Sequence, residues 1–366
     1  VTWITRFEQP ASPTAPDAWP LQAEAEFWSD VLDEKLGSRD LAETVPLLFS
    51  QGTDPRYSTV VRLVASDVPS PGGIDECTGV AAVHLPCADN LDVAEVSCVV
   101  RRGRRGEGIG GALHEAALRV GRAHGREKFW AFTVEPPQLA AGVATLPTQS
   151  GEGMVDATSR ESRFLSDRGY RLMLVERTAM LTLLSVEDRV RARDEVRART
   201  TRAYECLTFS GTVPEELLDA VATLNFHMST DVPTGGVDMS EVWDADRVRA
   251  MDHERELAAR DQLVTLVRRV DTGEFVGLTR LLKDRSVAAI AHQWETIVVK
   301  EHRGHGLGML AKVTNHAALA STWPSVARIS TGNAVQNEHM LAINDALGFE
   351  THGREGFWVM DDGAQS

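Results

Sequence analysis

One short pattern occurs twice in this chain, and it restricts the possible folds more than any other feature. From Ala288 to Val299 the sequence has strand character. It turns through Lys300-Glu301-His302 into Arg303-Gly304-His305-Gly306-Leu307-Gly308. From Met309 the spacing is helical, with Leu310, Val313, Ala317 and Ala320 three and four residues apart. The same order appears earlier. A β-branched run, Val96 to Val100, turns through Arg101 into Arg105-Gly106-Glu107-Gly108-Ile109-Gly110-Gly111, and a helical pattern follows with Leu113, Ala116, Ala117 and Val120. A strand, a glycine-rich turn and a helix start make an anion site. The first N–H groups of a helix have no partner within it, and its dipole adds partial positive charge. Glycine lets that backbone approach a phosphate with no Cβ in the way. Both copies read Arg-x-x-Gly-x-Gly in the same context, which predicts a shared pyrophosphate-binding role, with Arg303 adding a full charge at the mouth of the second.

A chain of 366 residues is long enough for two domains, each with its own core. The net charge of −15 argues against nucleic acid as the main partner and is compatible with a small cationic substrate. No apolar run approaches the length of a membrane span. The polar, proline-rich stretch after Trp3 and Ile4 does not read as a signal peptide. Cys77, Cys87, Cys98 and Cys206 show neither pairing nor metal spacing, so a cytoplasmic protein with reduced thiols and no metal is expected.

Taken in order, the first half predicts a strand at Trp3–Phe7 and a helix over Leu21–Leu36 stopped by Gly37. A second helix, capped by Ser38, would present Leu41, Val45 and Leu48. Strands follow at Thr59–Ala65, Thr78–Leu85, Val93–Val100 and Lys128–Val134. Residues Glu135 to Ala157 have no clear period and read as a long loop. A short helix over Arg160–Arg168 and a strand over Arg171–Leu184 complete this half. The charged segment 187–203 reads as a helical linker between a domain at 1–186 and another at 204–366. The second half predicts a strand at Tyr204–Phe209, helices over Glu215–Asn225 and Asp244–Arg260, and a hairpin of Leu263–Val270 with Phe275–Leu282 around Asp271-Thr272-Gly273. After the glycine turn come a strand at Ala327–Ser330, a helix from Asn337, and a last strand at Phe357–Met360 that closes the sheet.

Arg-x-x-Gly-x-Gly after a strand resembles the coenzyme A motif of the GCN5-related N-acetyltransferases (GNATs). A second stretch, Asn337-x-x-Met340-x-x-x-Asn344-x-x-Leu347-Gly348-Phe349, is similar to that family's last helix running into its next strand. Two copies in one chain resemble the tandem members, of which actinobacterial mycothiol synthases are an example. The resemblance implies an α+β (mixed α/β) chain of two tandem GNAT folds, each a mostly antiparallel twisted sheet flanked by helices. It also implies acetyl coenzyme A as co-substrate, held in the second copy by Ile297, Val298, Val299, Arg303, Gly304, His305, Gly306, Leu307, Gly308 and Met309, with Asn333, Asn337 and Asn344. In the first copy the corresponding residues are Val99, Val100, Arg105, Gly106, Glu107, Gly108, Ile109, Gly110 and Gly111, but Thr158 and Leu165 stand where the second has Asn337 and Asn344. Gly106-x-Gly108-x-x-Gly111 formally fits a dinucleotide fingerprint as well. That fold needs an acid at a strand end about 20 residues on; Glu127 precedes its strand, and Met309 replaces the third glycine in the second copy.

Acetyl transfer to an amine needs a base for the amine proton and a donor to steady the oxyanion. In the family the base often sits on the strand before the glycine turn, and that strand splays to admit the pantetheine. Eleven and eight residues before Arg303 stand His292 and Glu295, with Thr296 beside them; the same offsets from Arg105 give Ala94 and Ser97. Glu95, the only acid on the first strand, falls at the offset of Gln293. The second copy is therefore expected to be catalytic and the first a partial copy. Strict alternation would separate Glu295 from the face of His292, Trp294 and Thr296 unless a bulge intervenes. Asn333, Asn337 and Asn344 are either coenzyme A ligands or helix caps. Asn344 also stands where many relatives carry a tyrosine that protonates the leaving thiolate, and an amide is a poor acid. The expected function is transfer of acetyl from acetyl coenzyme A to the amine of a small molecule, by a monomer or homodimer with no nucleic-acid or membrane partner. A non-catalytic acyl-CoA-binding or regulatory protein is the alternative.

Overall fold

The computed structural model describes residues 2–362, which fall into two compact units. The first comprises 2–176, 234–238 and 353–362 of these; the second comprises 177–233 and 239–352.

The first unit begins with strand β1 (Trp3–Phe7), helix α1 (Trp19–Leu36) and the short α2 (Val45–Ser50). Strands β2 (Ser58–Ser66), β3 (Cys77–Pro86) and β4 (Val93–Val100) follow, each antiparallel to the one before. Past the glycine turn come α3 (Ile109–Ala123) and β5 (Lys128–Glu135), then a separate hairpin of β6 (Thr145–Pro147) and β7 (Met154–Asp156), α4 (Arg160–Ser166) and the start of β8 (Arg171–Thr182). The local chemistry explains the boundaries. Gly37, at φ 65°, ends α1 in the left-handed conformation that glycine adopts without penalty, its N–H returning to the Asp33 carbonyl. Ser159 caps α4 by accepting the Ser162 N–H. On one face of the sheet α1 lays Ala23 and Phe27 against Val64, Val80 and Val99; burying Phe27 contributes roughly 1.5–3 kcal/mol. On the other, α3 approaches closely over Gly79, where an added Cβ would meet Leu113 Cδ1 at 2.9 Å.

The second unit takes the end of β8, then α5 (Val186–Arg199), β9 (Tyr204–Ser210), α6 (Leu218–Asp231) and α7 (Ala245–Leu257). Its antiparallel strands are β9, β10 (Arg260–Arg269), β11 (Phe275–Asp284) and β12 (Ile290–Val298). Then come α8 (Leu307–Thr322), β13 (Arg328–Ala334), α9 (Glu338–Leu347) and β14 (Glu350–Asp361). Helix α6 buries Leu218, Val221, Ala222 and Leu224 on Val264, Leu266, Leu278 and Ile297. Among the described residues no helix is long and apolar enough to cross a membrane.

Several elements depart from the sequence reading. The chain crosses between units inside β8, between Glu176 and Arg177, and crosses back inside β14, between His352 and Gly353. Segment 187–203 is helical, as α5, and buries none of its helical side chains, yet it lies within the second unit, where Arg189 donates to the His316 carbonyl of α8. The Phe357–Met360 strand is the end of β14 and belongs to the first unit, paired with β5 from Arg354↔Glu135 to Asp361↔Lys128. Alternation marks a strand without naming its partner. The helix expected from Ser38 starts only at Val45, where Thr44 accepts the Leu47 N–H. Helix α7 stops at Leu257 because Ala259 turns at φ 52° and Arg260 already pairs in β10. The long loop 135–157 holds the β6–β7 hairpin.

Candidate active site

The two glycine turns have the same backbone. A short 3-10 turn, Arg102–Arg104 or Lys300–His302, precedes each. Gly106 and Gly108 lie at φ 87° and 85°, and Gly304 and Gly306 at 82° and 71°. A Cβ on any of the four would meet no atom within 4 Å, so glycine is needed for its conformation and for the open space it leaves, not for packing. Gly108 and Gly306 are the N-cap residues of α3 and α8, and no side chain caps either helix. The free N–H groups therefore face that space, as an anion site requires. The arginines are not free charges at the mouth. Arg303 donates from Nε to the Val298 carbonyl (2.9 Å) and pairs with Asp231 at 2.8 Å. Arg105 does the same with the Val100 carbonyl (3.1 Å) and Glu34. Each arginine clamps its turn to the preceding strand. Beside the second turn, His302 Nδ1 lies 2.9 Å from the Tyr204 hydroxyl and His305 packs edge-on against the same ring.

The strand before each turn parts from its parallel neighbour. β4 pairs with β5 only from Val93↔Lys128 to Glu95↔Trp130, and β12 with β13 only from Ile290↔Arg328 to Gln293↔Thr331. From there to the glycine turn one edge of each strand has no ladder, leaving an opening between the two parted strands. In the second unit β12 is also bulged. Leu281 pairs with Gln293 and Thr279 with Thr296, so Trp294 and Glu295 share the single partner position of Arg280. The first unit has no such break, with β3 and β4 in step from Gly79↔Val100 to His84↔Glu95.

The bulge rearranges the candidate residues. His292 stands at the last paired stretch, with Nδ1 2.8 Å from Ser330 Oγ and Nε2 3.6 Å from Asp284 Oδ2. Asp284 is also bound by Arg260 at 2.7 Å. Burial opposes its ionisation, but His292 and Arg260 outweigh that and hold the carboxyl below the usual range. His292 is thus an imidazole oriented at both nitrogens, by Ser330 at Nδ1 and by Asp284 at Nε2. The bulge brings Glu295 to the same face as His292, where it makes an ion pair with the fully buried Arg280 at 2.8 Å. Among the described residues its second oxygen is buried without a partner, as are Nε and Nη2 of Arg280. Thr296 is buried, with Oγ1 2.8 Å from Thr279 Oγ1. Trp294 is 59% exposed because the bulge throws it outward. Ile297 is core. Asn337 caps α9 by accepting the Met340 N–H at 3.2 Å. Asn344 and Asn333 are joined by a hydrogen bond of 2.6 Å.

No family model matches the sequence, and no curated protein does. Solved structures match the fold. A tandem GNAT protein from the clavulanic acid biosynthesis pathway superposes with a TM-score of 0.71 at 23% identity, over 99% of this chain and 100% of that one. The chain has the tandem GNAT fold. A GCN5-related N-acetyltransferase from Sphaerobacter thermophilus gives 0.60 at 14% identity, over 98% of this chain and 96% of that one. A GCN5-related glucosamine N-acetyltransferase region of a fungal multi-domain GH3 beta-N-acetylglucosaminidase gives 0.59 at 15%, over 98% of this chain and 38% of that one. Each GNAT unit here owns one glycine turn, one parted strand pair and one opening.

The first GNAT unit holds groups that counting back from Arg105 does not find. A cavity of about 380 Å³ runs from Gly106 and Gly108 along Val96–Val100 to His114, Phe164 and Leu165. Next to the point of parting, burial pushes the Glu95 carboxyl up to about 7. Glu355 goes up to about 8, first by burial and then by repulsion from Glu176, Glu95 and Glu43. The sequence reading left this copy without titratable groups because Glu355 arrives on β14 and Glu176 on β8, far along the chain. Only Glu95, opposite His84 in the ladder, was visible on the strand itself. Among the described residues no group of His, Cys, Asp and Glu could hold a metal ion.

Proposed function

We propose that this chain transfers an acetyl group from acetyl coenzyme A to the amine of a small molecule, with the chemistry in the second unit. The observation that carries this reading is the opening that starts where β12 leaves β13, beside His292, and ends at the N–H groups of the Gly306 turn. An extended donor with a pyrophosphate at one end and a thioester at the other matches that path. The amine attacks the thioester carbonyl directly. A C–N bond forms, the C–S bond breaks with its electron pair on sulfur, and His292 takes the amine proton. Asp284 orients the imidazole through Nε2, and the amine proton reaches Nδ1 through the Ser330 hydroxyl bound there: Ser330 takes it as it passes its own proton to the ring. Glu295, tied to Arg280, is the weaker candidate for the base.

A second reading has its own observation. The open cavity and the raised Glu95 lie in the first unit, and would support the same chemistry there. One experiment separates the two. The full chain, Gly306→Asp and Gly108→Asp are each incubated with acetyl coenzyme A and a metabolite extract, following thiol release and acetylated products by mass spectrometry. We expect Gly306→Asp, which sets an anion against the pyrophosphate, to lower thiol release at least tenfold and Gly108→Asp to leave most of it. In the parent chain, His292→Ala should lower kcat by about 10²–10⁴. The opposite order of the glycine variants moves the chemistry to the first unit. Coenzyme A binding with no thiol release from any amine would favour the non-catalytic alternative.

A further inference from the structure

The proposed transfer ends with a thiolate, which leaves faster when a proton arrives with it. Asn344 cannot supply one, but it is not alone. Lys312, on α8 and nine residues after Arg303, is only 1% exposed, and its Nζ donates to Asn344 Oδ1 at 2.6 Å. Asn344 donates in turn to Asn333 Oδ1, and Asn333 lies on β13 just beyond Thr331, the last residue paired with β12. The relay therefore runs from α8 through α9 to the strand that borders the opening. An ammonium has three N–H groups. One is bound to Asn344, the Phe349 ring lies 5.6 Å from Nζ, and among the described residues no carboxylate pairs with it. A buried cation without a counter-charge is costly, and burial brings this one down to about 7. His316, one turn on along the same helix, is kept neutral chiefly by burial and then by the positive charges of Lys312 and Arg189, and Arg189 of α5 donates to the His316 carbonyl.

The first unit provides an independent reference. His114, nine residues after Arg105, holds the same place on its helix, and it lines the cavity that begins at Gly106 and Gly108. A side chain at this position thus faces the space between the glycine turn and the parted strands.

We infer that Lys312, held by Asn344, is the proton donor to the departing coenzyme A sulfur in the second unit. The inference rests on the acyl transfer proposed above. As the C–S bond breaks, the Lys312 ammonium gives its proton to sulfur and becomes a neutral amine. The proton from the attacking amine passes to His292 and then to solvent, and solvent returns one to Lys312. The sum is thioester and amine to amide and thiol.

The test compares coenzyme A with desulfo-coenzyme A, which lacks only the sulfur. Calorimetry is run on the full chain carrying Gly108→Asp, so that the second turn alone is measured. We expect Lys312→Met to weaken coenzyme A about tenfold and leave desulfo-coenzyme A unchanged. Asn344→Leu, the residue found in the first unit, removes the bond that holds Lys312 and should weaken coenzyme A more than desulfo-coenzyme A; it serves if Lys312→Met does not fold. Equal weakening of both ligands, or no change in either, overturns the inference and leaves the acyltransferase reading standing. No binding of either ligand to the Gly108→Asp chain overturns both.

Discussion

The residues that matter most are the ones whose charge the fold opposes. Glu95 and Glu355 both titrate well above an ordinary glutamate, to about 7 and about 8. The sign of the consequence follows from linkage. Between the unfolded value of 4.5 and these raised values the folded chain binds more protons than the unfolded one, so stability falls as pH rises. The first unit should therefore melt at a lower temperature at pH 8 than at pH 5. Glu355→Gln should flatten that fall by removing the carboxyl that is raised further. A parent chain with the same Tm at both values, or a variant with the parent's slope, would mean that these carboxyls are not confined together. The pair at Asp284 has the opposite sign: its depressed value stabilises the folded second unit above the unfolded value of 3.8 and is lost as pH falls.

At the scale of elements, the strand pairs do the positioning. β12 is an ordinary antiparallel partner of β11 except at Arg280, where two residues face one, and that single insertion turns Glu295 inward and Trp294 outward. Helix α9 begins at a residue for which the sequence offered two roles. The Asn337 side chain is bound to the Met340 N–H, and Gly348, at φ 88°, ends the helix. Losing such a cap costs about 1 kcal/mol. We expect Asn337→Ala to lower stability by about that amount in chemical denaturation and to leave coenzyme A affinity unchanged. A loss of affinity at unchanged stability would return Asn337 to the ligand set.

At the scale of the whole molecule, each unit is completed by a strand distant in sequence. The first cannot finish its sheet without β14, which buries Phe357 and Trp358 and pairs along the whole of β5. A chain ending at His352 lacks that ladder. Its first unit should lose hydrogen-exchange protection in β4 and β5, while β10 to β12 of the second keep theirs. Retained protection in β5 would show that another segment can take the place of β14. Trp358→Ala, a milder lesion in the full chain, should cost about 3–5 kcal/mol.

The sequence by itself determined what depends on neighbours in the chain. The two glycine turns were legible because a positive φ is a local demand that glycine meets. Most strands and helices were legible because periodicity records which face is apolar. Two such turns, with the Asn337–Phe349 stretch, were enough for the fold. The tertiary structure decided what depends on partners far apart. It put the last strand in the first unit, bulged β12 opposite Arg280, gathered Glu95, Glu176 and Glu355, and set Lys312 on Asn344. Hydrogen-bond pairing and desolvation are properties of a residue's surroundings, and those surroundings come from segments that no local spacing connects.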